Sequence, residues 1–194
     1  MAHHELATPV TEAQVRALTV GDTVTLERTL YGIRDATLIA MFDRARTTRF
    51  DLSGHAVLHT APNVRKVAEG KYEKICIGTT TSARMVRFTE PLGAQYGVCA
   101  ICGKGGFPDE AIQTMRKLGM VYFAIVGGAA ALETTQIEEI EEVAWEELMP
   151  ECLWKFRVKD FGPLTVGIDS HGGSVYHDVQ TEATKRLEKI VAGL

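Results

Sequence analysis

Apolar residues along this chain change their spacing several times, and the changes mark out alternating elements. Val24, Leu26 and Leu30 share one parity, interrupted by Arg28, and predict a strand over about Thr23–Leu30. Ile39, Ala40 and Phe42 fit a helix over Asp35–Arg46. Ala56–His59 reads as a strand, Ala61-Pro62-Asn63 as a turn, and Lys74–Ile77 as a short strand. A hydroxyl run, Thr79-Thr80-Thr81-Ser82, is placed to cap a helix starting near Ser82, and Pro91 is expected to end or kink it. Val98–Cys102 is the next strand. Pro108 then opens a helix whose Ile112, Met115 and Leu118 share a face, with Gly119 at its C-terminal end.

Val121–Val126 is strand-like, and Gly127–Ala131 reads as a turn or a closely packed backbone. The acidic run Glu138–Glu142 is most simply a solvated helix face. Leu153–Val158, Leu164–Ile168 and Ser174–His177 predict three strands, the last two joined through a hairpin-like turn at Asp169–Gly173. A final helix over Gln180–Val191 is expected to bury Ala183, Leu187, Ile190 and Val191. Strands and helices alternate in the middle and strands cluster at both ends. The expected class is therefore α/β with more than one sheet, which a simple doubly wound sheet fits poorly.

Length and composition narrow the function. The 194 residues suit one domain over 1–194 with a sizeable core. With 45% hydrophobic and 24% charged residues, the chain should be globular rather than disordered. A net charge of −4 argues against a general nucleic-acid binder. The longest apolar stretch, Val121–Leu132, is too short to span a bilayer. His3, His4 and Glu5 do not form a signal-peptide opening, and the fold is expected to begin near Leu6. Cytoplasm is the default compartment.

Three stretches carry candidate chemistry: Arg34-Asp35, Gly78–Met85 with Thr80 and Arg84, and Gly103-Lys104-Gly105-Gly106. Each follows an apolar run and precedes a helical pattern, where free N–H groups and a neighbouring cation suit an anion. Thr80 and Arg84, four apart, can share one side of a first helical turn. Taken singly, each motif is more often a capping hydroxyl or a surface cation. The P-loop spacing is absent around Lys104. Three such stretches together suggest a small molecule with more than one negative charge. Asp35 either pairs with Arg34 or caps the next helix.

The remaining candidates have plainer readings. Cys99 and Cys102 form a lone C-x-x-C inside a buried strand, where residues three apart face opposite ways, so core packing is favoured over a metal or redox pair. His55 and His59 sit on a turn and a strand, unsuited to a helical metal pair. His171 is expected to be solvated, and Trp145 and Trp154 to serve packing or subunit contact.

In order along nearly the whole chain, these motifs resemble the β subunit, or C-terminal domain, of the class I iron–sulfur hydro-lyases, which include class I fumarate hydratase and L-tartrate dehydratase. The matching stretches include Val20-Gly21-Asp22, Arg34-Asp35-Ala36, Thr79–Met85, Gly103–Gly106 and Gly127–Ala130. The C-terminal third adds Glu138–Glu142, Met149-Pro150-Glu151, Val158–Leu164 and Ile168–Gly172. Met-Pro-Glu and Phe-Gly-Pro-Leu look closer to the tartrate dehydratase branch.

The resemblance implies a swivelling β/β/α domain of mixed sheets with packed helices. It implies reversible hydration of a C4 dicarboxylate, and a [4Fe–4S] cluster held by a partner α subunit with none bound by this chain. The chain would work as part of a hetero-oligomer, or form a homodimer when alone. By resemblance, Arg34, Arg84 and Lys104 bind substrate and Thr80 is the catalytic residue, as base or as positioner. Two positions depart from the family pattern: Leu38 where a histidine is usual, and Thr79 where a proline is usual. They favour an alternative, a non-catalytic anion-binding or assembly module of the same fold. A redox or metal protein built on Cys99 and Cys102 is a third reading.

Overall fold

A computed structural model describes residues 1–193, with Ala129 described by its backbone alone. The chain runs β1 (His3–Ala7), α1 (Glu12–Arg16), β2 (Thr23–Ile33) and α2 (Asp35–Leu38), which continues as a π-helical turn over Ile39–Asp43. It proceeds through β3 (Ala56–His59), β4 (Asn63–Ala68), β5 (Lys71–Cys76), a 3₁₀ helix (Ser82–Phe88), α3 (Thr89–Tyr96), β6 (Ala100–Gly103), α4 (Asp109–Leu118) and β7 (Val121–Ala124). The last elements are α5 (Ala129–Leu132), β8 (Ile137–Ala144), β9 (Leu153–Ile168) and α6 (Val175–Ala192).

Seven strands pair in the order β1-β2-β3-β6-β7-β9-β8, and β9 also pairs with β2. That extra ladder closes β2, β3, β6, β7 and β9 into a five-stranded ring. The β2–β3, β3–β6 and β6–β7 pairs are parallel, while β9 runs antiparallel to both β7 and β2. The β4–β5 hairpin stands apart as a second sheet. This mixed α/β architecture agrees with the expected class.

Alternate residues of the ring serve two cores, as the period of two requires. Leu30, Leu58, Cys102, Phe123 and Phe156 belong to one cluster, which fills the ring. Tyr31, Val57, Ile101 and Tyr122 belong to the other, together with Leu38, Met85, Leu92 and Met115 from the helical layer. Helices therefore cover the outside of the parallel strands.

Several expectations need correction. The fold begins at His3, because β1 pairs with β2 from His3↔Thr23 onward. Pro91 lies in the first turn of α3, where no N–H is needed, so that helix continues to Tyr96. The helix predicted over Asp35–Arg46 ends at Asp43. The acidic run belongs to strand β8, with Glu138, Glu139 and Glu141 facing Arg157 and Lys155 of β9. Ile137, Ile140 and Val143 recur every third residue because the ladder shifts register between Ile137 and Glu139 and again between Ile140 and Glu142. Such shifts imitate a helical period.

Leu153–Val158 and Leu164–Ile168 are parts of one strand that bends through Asp160 and Gly162, both at positive φ. Ser174–His177 is the capped start of α6, with Ser174 accepting the His177 N–H. The turn at Asp169–Gly173 ends in a single bridge, Ile168↔Ser174. Finally, Ala183, Leu187, Ile190 and Val191 are all exposed on α6 rather than buried.

Candidate functional site

The parallel strands β2, β3 and β6 all end on one side of the ring, and the three stretches singled out in the sequence follow or flank those ends. Ligands of open α/β sheets collect at such carboxyl ends. Arg34 follows β2, Lys104 follows β6, and the Thr79–Ser82 turn crosses between them. The Thr80 N–H donates to His59 O (2.8 Å), Lys104 N–H to Thr80 O (3.4 Å), and Ser82 N–H to Lys104 O (2.9 Å). A parallel bridge, Thr81↔Lys104, extends the pairing.

One carboxylate gathers two of the cations and, through one of them, the threonine. Asp35 Oδ2 accepts from Arg34 Nε at 3.2 Å and from Arg84 Nη2 at 3.0 Å. The same Arg84 nitrogen donates to Thr80 Oγ1 at 3.3 Å, so residues 80 and 84 do share one side of the turn. Glu151 closes the arrangement from 115 residues away. Its Oε1 lies 3.3 Å from Arg34 Nε, and its Oε2 accepts the Ala36 N–H at 2.7 Å.

Two cations, Arg34 and Arg84, thus meet two carboxylates, Asp35 and Glu151, while Lys104 stands outside that set of contacts. Arg84 engages protein groups through Nη2, its side chain is half exposed, and its other N–H groups have no hydrogen-bond partner among the described residues. Lys104 joins the site through its backbone. Its Nζ lies beside Gly127, 3.3 Å from where a Cβ would stand.

Helix ends contribute less than expected. No side chain caps the 3₁₀ helix at Thr81, and four residues separate Lys104 from α4, whose first turn carries Asp109 and Glu110. The positive charge here comes from side-chain cations rather than from helix ends.

A buried polar layer underlies the turn. His59 Nδ1 lies 3.0 Å from Ser82 Oγ, which accepts from Tyr122 Oη at 3.1 Å. Gly103 leaves the room for it, since a Cβ there would stand 2.0 Å from Ser82 Oγ. Burial holds the His59 pKa down at about 3, so its ring is neutral. Sequence reading passed over Glu151, Ser82 and Tyr122 as site groups, because their partners lie 23 or more residues away and no local spacing announces them.

The departures from the family pattern have structural roles. Leu38 is fully buried in the helix-side core. Thr79 Oγ1 donates to His59 O at 3.1 Å. The cysteines do not form a ligand set. Cys99 and Cys102 are both buried in the ring cluster, as core packing requires, and burial pushes the Cys99 thiol up to about 12. Among the described residues, no group of three or more His, Cys, Asp or Glu side chains gathers as metal ligands. These residues do not fit an iron–sulfur cluster. His171 is exposed, with Nε2 2.8 Å from Arg16 O, while Trp154 is fully buried in the ring core.

A closed five-stranded ring carries cationic side chains at its parallel strand ends, and sequence comparison gives the class. The chain belongs to the family described as the fumarase C-terminus, whose model matches residues 1–179. It is 38% identical over 187 residues to the L(+)-tartrate dehydratase subunit beta of Escherichia coli (strain K12), covering 96% of this chain and 92% of that one. A Methanocaldococcus jannaschii protein bearing the same subunit name provisionally is 35% identical over 187 residues, covering 94% and 95%. A provisionally named class I fumarate hydratase of Geobacillus stearothermophilus is 35% identical over 185 residues, 95% of this chain but 35% of its own length.

Proposed function

We propose that this chain is the β subunit of a class I hydro-lyase of the tartrate dehydratase type. It removes water from, or adds it to, a C4 dicarboxylate in a site shared with an α subunit. The convergence of Arg34, Arg84 and Thr80 around Asp35 is the observation that carries this reading. The near full-length match to a tartrate dehydratase β subunit supports it. The reading takes the chain as one domain over 1–194, of which Leu194 lies outside the described residues. Among those residues no helix is long and apolar enough to cross a membrane. Cytoplasmic placement is part of the reading.

A dicarboxylate entering a closed site must shed its hydration. Charge-assisted hydrogen bonds from Arg34, Arg84 and Lys104 offset that cost at about 1.5–3 kcal/mol each. Dehydration takes a proton from the carbon beside one carboxylate and hydroxide from the next carbon. Removing the proton builds enolate-like charge on the carboxylate, which the same cations stabilise. Thr80 Oγ1 lies against Arg84, where it can hold the substrate or take part in moving that proton. The [4Fe–4S] cluster of the reading resides on the α subunit, where it would supply Lewis-acid chemistry.

Coexpression with the genomic α-type neighbour under anaerobic conditions tests the proposal. The pair should dehydrate a C4 hydroxy acid while this chain alone does not. Absence of turnover on tartrate, malate and fumarate by a pair with an intact cluster contradicts it. The alternative, a non-catalytic anion-binding module, predicts instead that the isolated chain binds dicarboxylates by calorimetry and that Arg84→Ala abolishes the binding.

A further inference from the structure

His59 holds the Thr79–Ser82 turn at both ends. Its carbonyl oxygen accepts the Thr80 N–H and the Thr79 hydroxyl. Its ring meets Ser82 Oγ at 3.0 Å. The tautomer of the ring sets the direction of the chain, and Tyr122 at the far end is compatible with Ser82 donating to His59. Tyr122 donates to Ser82 Oγ, so the Ser82 proton is free to point at His59 Nδ1, which then accepts. A neutral ring in that state carries its proton on Nε2. That nitrogen is buried and has no hydrogen-bond partner among the described residues. Buried unpartnered polar atoms are uncommon and point to a role beyond packing. The ring itself is 1% exposed and sits edge-on to Phe107, 6.2 Å between centroids.

We propose that His59 is a positioning residue for the reaction assigned above, its imidazole fixing the Thr80 hydroxyl and the Arg84 side chain through Ser82. The inference rests on that proposed function for its catalytic consequence, but the hydrogen-bond chain can be tested separately. One experiment reads that consequence and a second reads the chain itself.

In the assembled α–β pair, His59→Phe keeps the carbonyl and most of the ring volume but loses the bond to Ser82. It should lower kcat by about tenfold to a hundredfold with KM little changed, the scale of a displaced reacting group. His59→Asn places an amide oxygen near the Nδ1 position and should recover most of that loss. Wild-type kcat in His59→Phe, or no recovery in His59→Asn when both fold, overturns the proposal.

The second experiment needs no activity and no variant. Nitrogen-15 spectra of histidine-labelled full-length chain should show one His59 tautomer, protonated on Nε2, from pH 8 down to pH 5. An Nδ1-protonated ring, or one that titrates like a solvated histidine, overturns the proposal. If the pair turns over no C4 acid, the functional assignment falls on its own, while these spectra still decide whether His59 holds the turn.

Discussion

Gly103→Ala tests the packing beneath the site. The added methyl would stand 2.0 Å from Ser82 Oγ and 3.1 Å from Tyr122 Oη. Gly103 is not at positive φ, so alanine adds no backbone strain and the effect is purely steric. Ser82 cannot yield freely, because it is fully buried and bonded to His59 and Tyr122. Overpacking of this kind costs about 1–3 kcal/mol, and losing two neutral hydrogen bonds adds about 1 kcal/mol each. The sum, about 3–5 kcal/mol, is a large share of the ~5–15 kcal/mol that holds a domain folded. In urea, with a slope of about 2–3 kcal/mol per molar, the midpoint should fall by about 1–2.5 M. Gly78→Ala is the control, since nothing lies within 4 Å of a Cβ there. It should be neutral or slightly stabilising, by about 0.4–1 kcal/mol. Ser82→Ala removes the clashing oxygen and leaves its Cβ 3.4 Å away, an ordinary contact. In that background Gly103→Ala should cost less than about 1 kcal/mol, a coupling of about 2 kcal/mol or more. Equal midpoints for the Gly103 and Gly78 variants, or additive effects in the double variant, would refute this account of the strand end.

Two further outcomes follow from the structure. Burial pushes the Glu133 carboxyl up to about 7 from 4.5. The folded state therefore binds this proton more tightly than the unfolded chain, and stability is lost as pH rises from about 4.5 through about 7. Allowing for solvent screening at a half-buried group, Glu133→Gln should be about 1–2 kcal/mol more stable than the parent at pH 8 and near parity at pH 4.5, by urea midpoints. A pH-independent difference contradicts the assignment. The last turns of α6 expose Leu187, Ile190 and Val191, while Tyr176 packs against Gly106 and Gly167. A chain ending at Val179 should keep its urea midpoint within about 0.5 kcal/mol of the parent, the range of changes away from packed groups, whereas Tyr176→Ala should lose about 3–4 kcal/mol.

The parallel part of the fold was legible because its strands are short and apolar and its helices have marked ends. Ala56–His59 is a strand, Val98–Cys102 overlaps β6, and α4 is bounded by Pro108 and Gly119. The antiparallel part was harder to read because bulges disturb the period of two. Arg28, the break in the parity of β2, sits at positive φ where the β2–β9 ladder shifts register. Two shifts in β8 gave its apolar residues a period of three. The β4–β5 hairpin was half missed because nearly all of its side chains are polar or exposed. Closure of the ring depends on β2 meeting β9 over more than a hundred residues, which no local pattern encodes. At the site, the cations and Thr80 stood out as residue types. The anchor shared by Arg34 and Arg84, Asp35, had two readings in the sequence, and Glu151 had no assigned role until the fold brought it to Arg34.

The central claim is that Arg84, placed beside Thr80 by Asp35, binds a carboxylate of the substrate. The most direct measurement is kcat/KM of the assembled α–β pair on a C4 hydroxy dicarboxylate, wild type against Arg84→Ala. Loss of a charge-assisted contact worth about 1.5–3 kcal/mol predicts a fall of about tenfold to 150-fold. An Arg84→Ala pair that folds, holds its cluster and keeps the wild-type value would contradict the account.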